Sequence, residues 1–488
     1  MDTVSIRMRG PDSLWLHADG NNVALEELSR STDSVWRLNR MGDGLQYNIR
    51  AYNSGMALRA EGTNNYADGN NVYLYPWNGW NSQRWNIGWR ANGRVRMTLN
   101  KRSVILRAQD GGDGFGAGDN VGISSPANWW GQDWSVKRVE KIDSPTIARV
   151  PNGNLVAYAK TSLTPGTTSA NGILYESDND GASWTVKRTM GNIYGPTLFA
   201  YDNKLCMLSG EAKTLKLRVS TNGGANWTVH QLKTFADDLE SGGGAPVLIT
   251  DDYLYYAFMD TGASEFWPRK FRLIVASCPT DVDFTVASNW TFTSPKSFPD
   301  NPAVSGTERG WLEPNLAEGP DGMIWLTARV NHPAEGNVAA RLKLNSDRTN
   351  LWFNNRYPAA RTQTGFLDAP WAGSAKFHIV YDEPSAKYWV MSNPYFGPRS
   401  GNRRHDLVRN TMALYSSPNL HDFTLEAKLL EDDLFTTWEH SAWFTGFQQP
   451  AFIIEGNDLL YISRTAYGSL DNYHDANMIT FHRKANFR

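Results

Sequence analysis

The chain has 488 residues, of which 41% are hydrophobic and 12% aromatic, so it is long enough for more than one hydrophobic core and we expect two or three globular domains. Its 48 Lys and Arg residues nearly balance its 50 Asp and Glu residues, and no basic block could neutralise a run of phosphates, which argues against nucleic acid or an anionic membrane as a partner. No apolar stretch reaches the roughly 20 residues that a membrane-spanning helix needs.

The N-terminal part of the chain contains three copies of one unit. Forty-two Gly and 23 Pro residues lie among short β-branched and aromatic runs, which predicts an all-β protein with many turns. Trp36, Trp85 and Trp134 follow one another at intervals of 49 residues. An Asn-Val pair recurs at the same interval, beginning at Asn22, Asn71 and Asn120. Such units bury their apolar faces only against one another, so three of them predict a closed β-trefoil.

The end of each unit resembles a known sugar-binding family. Residues 75–85 (YPWNGWNSQRW) close with Gln-x-Trp, residues 132–134 (QDW) repeat that ending, and residues 34–36 (SVW) have lost the Gln. This pattern is similar to the second half of the repeat in ricin-type lectin trefoils. The resemblance implies a carbohydrate-binding domain over residues 1–138.

The three turns that would hold the sugar lack the acidic residue of that family. In ricin-type lectins an Asp accepts hydrogen bonds from a galactose diol, and the corresponding positions here are His17, Arg59 and Arg107. Because Arg can bind a carboxylate through two hydrogen bonds, we predict an anionic sugar as the ligand, with a purely spacing role as the alternative. The candidate sugar-binding residues of the trefoil are Arg59, Trp77, Asn81, Arg107 and Trp129.

A second repeat system begins near Glu140. Residues 177–184 (SDNDGASW) and 220–227 (STNGGANW) are two copies of one turn, 43 residues apart. They resemble the Asp-box of the sialidase superfamily, with Asn in place of its Asp. The chemistry of the turn explains these residue types, because a short polar side chain satisfies local backbone donors, Gly supplies a positive φ, and Trp fills the space between strands.

The second repeat system predicts a β-propeller. Weaker copies of the turn follow at residues 277–284, 345–352, 416–423 and 480–487. Six hairpins alternate with the turns, at residues 145–159, 196–209, 246–259, 314–328, 376–392 and 450–464. Hairpin and turn strands together make about four strands per unit, which is the pattern of a propeller blade. We therefore predict a six-bladed propeller over residues 139–488 as the catalytic domain, with a seventh blade within residues 353–371 or a pair of β-sandwiches as the alternatives.

The fourth hairpin carries the strongest candidate site, because residues just before the first strand and just after the second strand of a blade converge on the propeller axis. Glu313 stands eight residues before an Asp-Gly turn and sixteen before Arg329. Both spacings resemble the sialidase segment in which a Glu polarises the catalytic Tyr and an Arg holds the substrate carboxylate. On that resemblance Glu313 is a proton acceptor and Arg329 binds an anion, with a structural ion pair as the alternative.

Other parts of the sialidase site are displaced or missing. Arg409 lies seven residues before Ser416, where it resembles another Arg of the family's carboxylate-binding set. The first blade opens with residues 142–145 (IDSP) and lacks the family's Arg, and the last opens with residues 447–450 (FQQP) and lacks its nucleophilic Tyr. A retaining mechanism through a tyrosyl intermediate is therefore not expected.

Several further polar residues fall where strand ends reach the axis. The runs after Arg329 and Arg464 each put an Arg near a His. An Arg that neutralises a uronate and a His or Tyr that exchanges a proton are what β-elimination from a uronic acid requires. The predicted catalytic residues are Glu313, His332, Tyr467 and His474, and the predicted substrate-binding residues are Arg309, Arg329, Arg409, Gln449 and Arg464.

These features predict a carbohydrate-active enzyme that acts on a terminal linkage of an acidic glycan, either as a hydrolase or as a lyase directed at a uronate, for example in a rhamnosyl-glucuronate linkage. A true exo-sialidase and a non-catalytic two-domain lectin are the alternatives. The Cys and His residues have no zinc spacing, so we expect no required cofactor, with a structural calcium ion in the propeller channel as the alternative. We expect a monomer that is secreted after removal of a signal peptide, with a cytoplasmic location as the alternative.

Overall fold

The computed structural model describes most of the chain in two compact units. Met1–Lys141, Ser162–Ser169 and Ser469–Asn477 form the first unit, and Ile142–Thr161, Ala170–Gly468 and Met478–Arg488 form the second. The described residues are 2–8, 14–27, 35–41, 46–62, 65–90, 94–109, 117–127, 130–138, 140–163, 171–193, 195–241, 243–263, 266–299, 309–331, 337–355, 364–371, 375–398, 407–435, 437–467, 472–476 and 478–488. Within these ranges no helix combines the length and the apolar character that crossing a membrane requires. The same ranges contain no group of three His, Cys, Asp or Glu side chains that could hold a metal ion.

Twelve strands form one sheet in the first unit. Their bounds are Asp2–Met8 (β1), Leu14–Asp19 (β2), Asn22–Glu27 (β3), Val35–Arg40 (β4), Gln46–Ala51 (β5), Ala57–Ala60 (β6), Val72–Tyr75 (β7), Trp85–Arg90 (β8), Arg94–Leu99 (β9), Ile105–Ala108 (β10), Val121–Ser124 (β11) and Trp134–Arg138 (β12). The strand order is β11-β10-β9-β12-β1-β2-β3-β7-β6-β5-β4, with β8 pairing β5 and β9, and with a further pairing of β1 and β4. Each of the twelve strands contributes buried apolar side chains to one core.

The three copies in the sequence appear as a threefold set of core contacts. Trp36, Trp85 and Trp134 are all fully buried. Their indole N–H groups donate at 2.9, 3.0 and 3.2 Å to the backbone carbonyls of Leu16, Leu58 and Leu106. A buried indole N–H needs an acceptor, and here each copy supplies its own. The predicted β-trefoil fold is therefore confirmed.

A closed ring of side-chain amides marks the threefold axis of the trefoil. Asn71 Nδ2 donates to Asn22 Oδ1 at 3.1 Å, and Asn120 Nδ2 donates to Asn71 Oδ1 at 2.9 Å. Asn22 Nδ2 closes the ring on Asn120 Oδ1 at 3.3 Å. Because three equivalent residues each donate to the next, the ring surrounds the axis and satisfies one donor and one acceptor of every member. This explains why Asn recurs at the 49-residue interval.

Six sheets follow one another in the second unit and confirm a six-bladed propeller. The first three blades contain Glu140–Arg149 (β13), Leu155–Leu163 (β14), Asn171–Ser177 (β15) and Thr185–Thr189 (β16); Thr197–Tyr201 (β17), Lys204–Glu211 (β18), Thr214–Ser220 (β19) and Thr228–Thr234 (β20); and Leu239–Ser241 (β21), Leu248–Ile249 (β22), Tyr253–Asp260 (β23), Arg272–Pro279 (β24), Thr291–Phe292 (β25) and Lys296–Ser297 (β26).

The last three blades have the same hairpin-based plan. They contain Gly310–Glu318 (β27), Ile324–Asn331 (β28), Val338–Leu344 (β29), Leu351–Trp352 (β30) and Gly365–Asp368 (β31); His378–Asp382 (β32), Lys387–Ser392 (β33), Thr411–Ser417 (β34) and Thr424–Glu431 (β35); and Gly446–Glu455 (β36), Asp458–Ala466 (β37) and Met478–Lys484 (β38). The α-helix Trp438–Phe444 (α1) precedes the sixth blade. The described part of residues 353–371 adds β31 to the fourth blade.

The two clearest turns of the propeller share one hydrogen-bond pattern. In the first, Ser177 Oγ accepts from the Gly181 N–H at 2.8 Å, and Asn179 Oδ1 accepts from the Ser183 N–H at 2.9 Å. The second repeats both distances with Ser220, Asn222, Gly224 and Asn226. Both turn glycines have a positive φ, as the turn requires. The amide oxygen of Asn therefore accepts the hydrogen bonds for which the resemblance expects an Asp.

Candidate active site

One edge of the propeller collects four of the candidate residues: Glu313, Arg329, Gln449 and Arg464. The first two long strands of a blade form an antiparallel hairpin, so the start of the first strand and the end of the second lie at the same edge. In the fourth blade this pairing brings Leu312, next to Glu313, opposite Arg329. In the sixth blade Gln448 lies opposite Arg464. We call the edge formed by these strand starts and strand ends the axial edge.

A left-handed backbone conformation recurs at the axial edge. The residue that precedes a proline at the start of the first strand has a left-handed backbone, with φ of 53°, 55°, 52° and 48° at Ser144, Gly195, Glu313 and Gln449. In the fourth and sixth blades the strand register shifts across this residue. Such a bulge bends the strand and re-aims the bulged side chain. Left-handed non-glycine residues are uncommon and concentrate at functional sites, which draws attention to this edge.

Glu313 and Arg329 form an ion pair at the axial edge. Arg329 Nη1 lies 2.8 Å from Glu313 Oε2, and their side chains are 13% and 15% exposed. The strand pairing places the two residues side by side, so the geometry follows from the register of β27 and β28. The carboxylate of Glu313 accepts from the guanidinium of Arg329.

A second set of contacts joins the sixth blade to the first. Arg464 Nη1 donates to Asp143 Oδ1 at 2.9 Å, and the Arg464 side chain is 6% exposed. Gln449 Oε1 accepts from the Ser144 N–H at 2.9 Å, and Asp143 Oδ1 accepts from the same N–H at 2.7 Å. Gln449, a predicted substrate-binding residue, therefore also ties the last blade to the first.

Lys376 is a member of this edge that the sequence prediction missed. It lies two residues before β32 in the fifth blade, is 3% exposed, and its Nζ has no hydrogen-bond partner among the described residues. Burial lowers its pKa to about 8; Glu313 and Asp143 oppose this shift, and Arg464 and Arg329 add to it. Lys376 therefore lies within electrostatic range of both axial ion pairs.

Two glycines lie beside the Lys376 amine. Gly243 and Gly244, in the third blade, both have left-handed φ values, of 60° and 81°. A carbon built at the Cβ position of Gly243 would lie 3.5 Å from Lys376 Nζ and 3.9 Å from Ser144 Oγ, which is ordinary van der Waals contact. The amine of the fifth blade therefore lies close to the backbone of the third blade.

Two further titratable groups lie near Asp143. Burial lowers the pKa of Lys160, and Asp143 and Glu240 oppose that shift. Burial raises the pKa of Glu240, with Lys270 and Lys160 opposing the shift and Asp143 and Asp238 adding to it. The axial edge thus contains side chains of both signs from the first, third, fourth, fifth and sixth blades.

Three other predicted residues lie outside these contacts. Arg409 is buried just before β34, where its Nη1 donates to the carbonyl of Val408 at 2.7 Å. Arg309 is half-buried immediately before β27. Tyr467 follows β37, and its hydroxyl donates to Asp433. The roles predicted for these three remain predictions.

The roles predicted for the two catalytic histidines stay predictions. His474 belongs to the first unit, where its Nδ1 lies 3.2 Å from Asp475 Oδ1 and its side chain is 65% exposed. His332 lies outside the described residues. The structure therefore places Glu313 and His474 in different units.

In the second lobe of the trefoil, Arg59 lies against an aromatic cluster. Its guanidinium carbon is 5.4, 4.5 and 4.6 Å from the ring centroids of Tyr73, Tyr75 and Trp80. Tyr75 and Trp80 are stacked at 6.2 Å and are 37% and 49% exposed. Arg59 itself is 8% exposed, and its Nε has no hydrogen-bond partner among the described residues. A cation beneath exposed aromatic rings is an arrangement that can bind an anionic sugar.

Trp77 and Asn81, two of the other predicted trefoil residues, have contacts within the trefoil. Arg50 lies over the Trp77 ring at 5.3 Å, and Asn81 Oδ1 accepts from Asn100 Nδ2 at 3.1 Å. Arg107 lies on β10, and Trp129 is outside the described residues. The Gln of each Gln-x-Trp ending is buried and hydrogen-bonded to the backbone of its own loop, at Gln83 and Gln132. These two Gln residues shape the loop.

Neither a protein-family model nor a curated protein matches the sequence. Among solved structures, the chain is similar to a Penicillium chrysogenum α-L-arabinanase complexed with arabinobiose, at 11% identity over 71% of this chain and 93% of that chain, with a TM-score of 0.45. A Trypanosoma rangeli sialidase in complex with sialic acid is 15% identical over 81% of this chain and 59% of that chain, with a TM-score of 0.44.

A third similarity covers a shorter part of the chain. The Macrolepiota procera ricin B-like lectin in complex with lactose is 19% identical over 28% of this chain and 94% of that chain, with a TM-score of 0.24. At these identities and TM-scores the three similarities assign no role to any residue of this chain.

Proposed function

We propose that this chain is a carbohydrate-active enzyme whose propeller cleaves a terminal linkage of an acidic glycan. The observation that supports this most directly is the set of three cationic side chains that successive blades bring to the axial edge: Arg329, Lys376 and Arg464. Two of them already pair with a carboxylate, and Lys376 Nζ has no hydrogen-bond partner in the described structure.

A buried ammonium without a partner favours the binding of an anion. Removing a charged group from water is costly unless a counter-charge or hydrogen bonds replace the water. Arg329 and Arg464 donate to the carboxylates of Glu313 and Asp143, so two guanidinium groups also lie at this edge. A uronate or another sugar carboxylate would supply the missing charge while Lys376 is protonated, and Arg329 and Arg464 would hold it when the amine is neutral.

The proposed reaction is cleavage at a terminal residue, by hydrolysis or by elimination from a uronate such as glucuronate linked to rhamnose. A tyrosyl nucleophile of the sialidase kind is not supported, because Gln449 stands where the resemblance expects that Tyr and its side chain accepts from the Ser144 N–H. The proposed domain roles are sugar binding for residues 1–138 and catalysis for residues 139–488.

The first unit is proposed to bind an anionic sugar through its second lobe. Arg59 would pair with the carboxylate, and the exposed ring of Trp80 would pack against the sugar face.

One observation favours the alternative of a non-catalytic lectin. Glu313 and Asp143 both already accept from a guanidinium, so neither is a free acid–base group.

A panel of acidic glycans tests this proposal. Sialosides, rhamnosyl-glucuronate gums, ulvan and pectic side chains would each be incubated with the protein beside a sample in which the carboxyl groups have been reduced to alcohols. We expect one acidic glycan to release a terminal sugar and its reduced form to release little. Binding without release from every glycan would favour the lectin, and equal cleavage of both forms would contradict carboxylate recognition.

A further inference from the structure

We propose that Lys376 is the base that removes the proton from carbon 5 of a uronate residue, so that the propeller cleaves its substrate by β-elimination. This inference rests on the function proposed above and decides between its two reactions. It also assigns proton transfer to a residue other than those predicted from the sequence.

The position of the amine supports this role. Lys376 Nζ is buried and has no hydrogen-bond partner among the described residues, so its lone pair or its proton is not committed to another protein group. A Cβ atom added to Gly243 would lie 3.5 Å from Lys376 Nζ and 3.9 Å from Ser144 Oγ, so the amine lies beside the backbone of the third blade.

The charges around Lys376 support a neutral amine at mildly alkaline pH. The charged groups within range are Glu313 and Arg329 from the fourth blade and Asp143 and Arg464 from the first and sixth. They form two ion pairs, so their opposing effects on the lysine largely offset each other. Burial then dominates and lowers the lysine pKa to about 8.

A neighbouring histidine does not compete for this role. His378 is buried beside β36, with its ring 4.7 Å from the Phe452 ring. Burial lowers the pKa of His378 to about 3, and Lys376 adds to the shift. The His378 ring is therefore uncharged at neutral pH, whereas the Lys376 amine has a pKa of about 8.

The axial carboxylates are poorly suited to the hydrolytic alternative. Hydrolysis of a glycosidic bond requires one carboxyl group that donates a proton and a second that activates water or attacks the sugar. Glu313 and Asp143 each accept a hydrogen bond from an Arg, so both carboxylates are already engaged in ion pairs. In elimination the same Arg residues have a direct use, since neutralising the uronate carboxylate makes its α-proton more acidic.

The proposed step balances atoms and charges. The neutral Lys376 amine takes the carbon 5 proton, and the electrons of that C–H bond form the double bond between carbons 4 and 5. The bond from carbon 4 to the glycosidic oxygen breaks, and its electron pair stays on that oxygen. The oxygen then takes a proton from the Lys376 ammonium, directly or through water, which restores the amine. No water is consumed, and one product is an unsaturated uronate.

Variants at position 376 test the role with three readouts. Lys376→Ala is expected to lower kcat/KM by about a thousandfold, as the loss of a proton-transfer group does. Added ethylamine is expected to restore part of this activity, because it fits the space left by the side chain. The wild-type kcat/KM is expected to rise about tenfold per pH unit up to about 8 and then level, while the residual activity of the variant lacks this rise.

The matched control is Lys428→Ala on β35 of the same blade, which removes an exposed lysine paired with Glu431. It is expected to keep full activity and to show no response to ethylamine. Comparable activity of Lys376→Ala and Lys428→Ala would overturn the inference, and so would a level pH profile for the wild type.

Product analysis separates failure of this inference from failure of the proposed function. A saturated sugar that carries oxygen from ¹⁸O-labelled water would mean hydrolysis, which overturns the role of Lys376 and leaves the proposed function standing. Binding of acidic glycans without any cleavage would overturn both. An unsaturated product without ¹⁸O, lost in Lys376→Ala, is the expected result.

Discussion

The trefoil and the propeller use their central axes differently. The trefoil axis is closed by Asn22, Asn71 and Asn120, three identical residues that donate to one another in a ring. The propeller axis gathers different charged residues from several blades, and Lys376 is left without a hydrogen-bond partner in the described structure. Equivalent residues around an axis can satisfy one another's hydrogen bonds. Unequal charged residues around an axis can leave one charge without a partner, which a ligand can neutralise.

The largest expected effect on stability comes from breaking an axial ion pair. Arg329→Ala leaves the Glu313 carboxylate, 15% exposed, without its guanidinium, and we expect the free energy of unfolding of the propeller to fall by about 3 to 4 kcal/mol. Arg483→Ala is the matched control, because its ion pair with Asp458 involves an Arg side chain that is 51% exposed. The control should cost less than about 1 kcal/mol. If denaturant titrations gave equal losses of unfolding free energy for the two variants, the larger contribution expected of the axial ion pair would be contradicted.

Removing the lone amine should have the opposite sign. In the fold the Lys376 pKa is about 8, against an ordinary value of 10.5, so its protonated form is disfavoured and the fold is penalised below pH 8. Lys376→Met should therefore stabilise the propeller by about 2 to 3 kcal/mol at pH 7. The penalty disappears as pH rises from about 8 to 10.5, so the difference from wild type should shrink over that range. A destabilised Lys376→Met protein with an unchanged difference at high pH would contradict this.

A smaller effect is expected in the second lobe of the trefoil, where we propose a sugar site. Arg59→Met removes the cation beneath Tyr75 and Trp80, and we expect about tenfold weaker retention of an acidic oligosaccharide, as the loss of one charge-assisted contact predicts. The matched control is Arg37→Met, which removes an Arg that lies 4.4 Å over the Tyr52 ring elsewhere in the trefoil. Affinity electrophoresis in gels containing the glycan measures both, and equal retention of the two variants would argue against a site at Arg59.

The smallest effect is expected from the amide ring. Asn71→Ala leaves one donor on Asn120 and one acceptor on Asn22 without their partner, which should lower the stability of the first unit by about 1 kcal/mol. Asn22→Ala should cost a similar amount, because the ring contains three equivalent members. Calorimetry of the full chain can follow the transition of this unit. A large difference between the two variants would show that the ring is less symmetric in energy than in geometry.

Repeat spacing predicted the fold well, because every repeat has the same structural residue at the equivalent position. Trp36, Trp85 and Trp134 marked the trefoil through their interval, and the six hairpins marked the six blades. The ion pair of Glu313 and Arg329 followed from spacing, since a fixed hairpin length puts fixed positions opposite each other. The catalytic and binding roles assigned to these residues stay predictions.

Lys376 and Asp143 could not be found in this way. In the first, fourth and sixth blades a Pro follows the axial residue and marks it, whereas Phe377 follows Lys376. The charged groups around the Lys376 amine belong to other blades and are far from it in sequence. His474 is close to Arg464 along the chain but belongs to the other unit, and its predicted role stays a prediction.

The most direct test of the central claim is a crystal structure of the Lys376→Ala protein with a disaccharide in which a sugar is linked to oxygen 4 of a uronate. We predict that the uronate lies at the axial edge, with its carboxylate hydrogen-bonded to Arg329 or Arg464 and its carbon 5 directed at position 376. A disaccharide bound in the propeller away from these residues, or bound only against Trp80 of the first unit, would contradict the account.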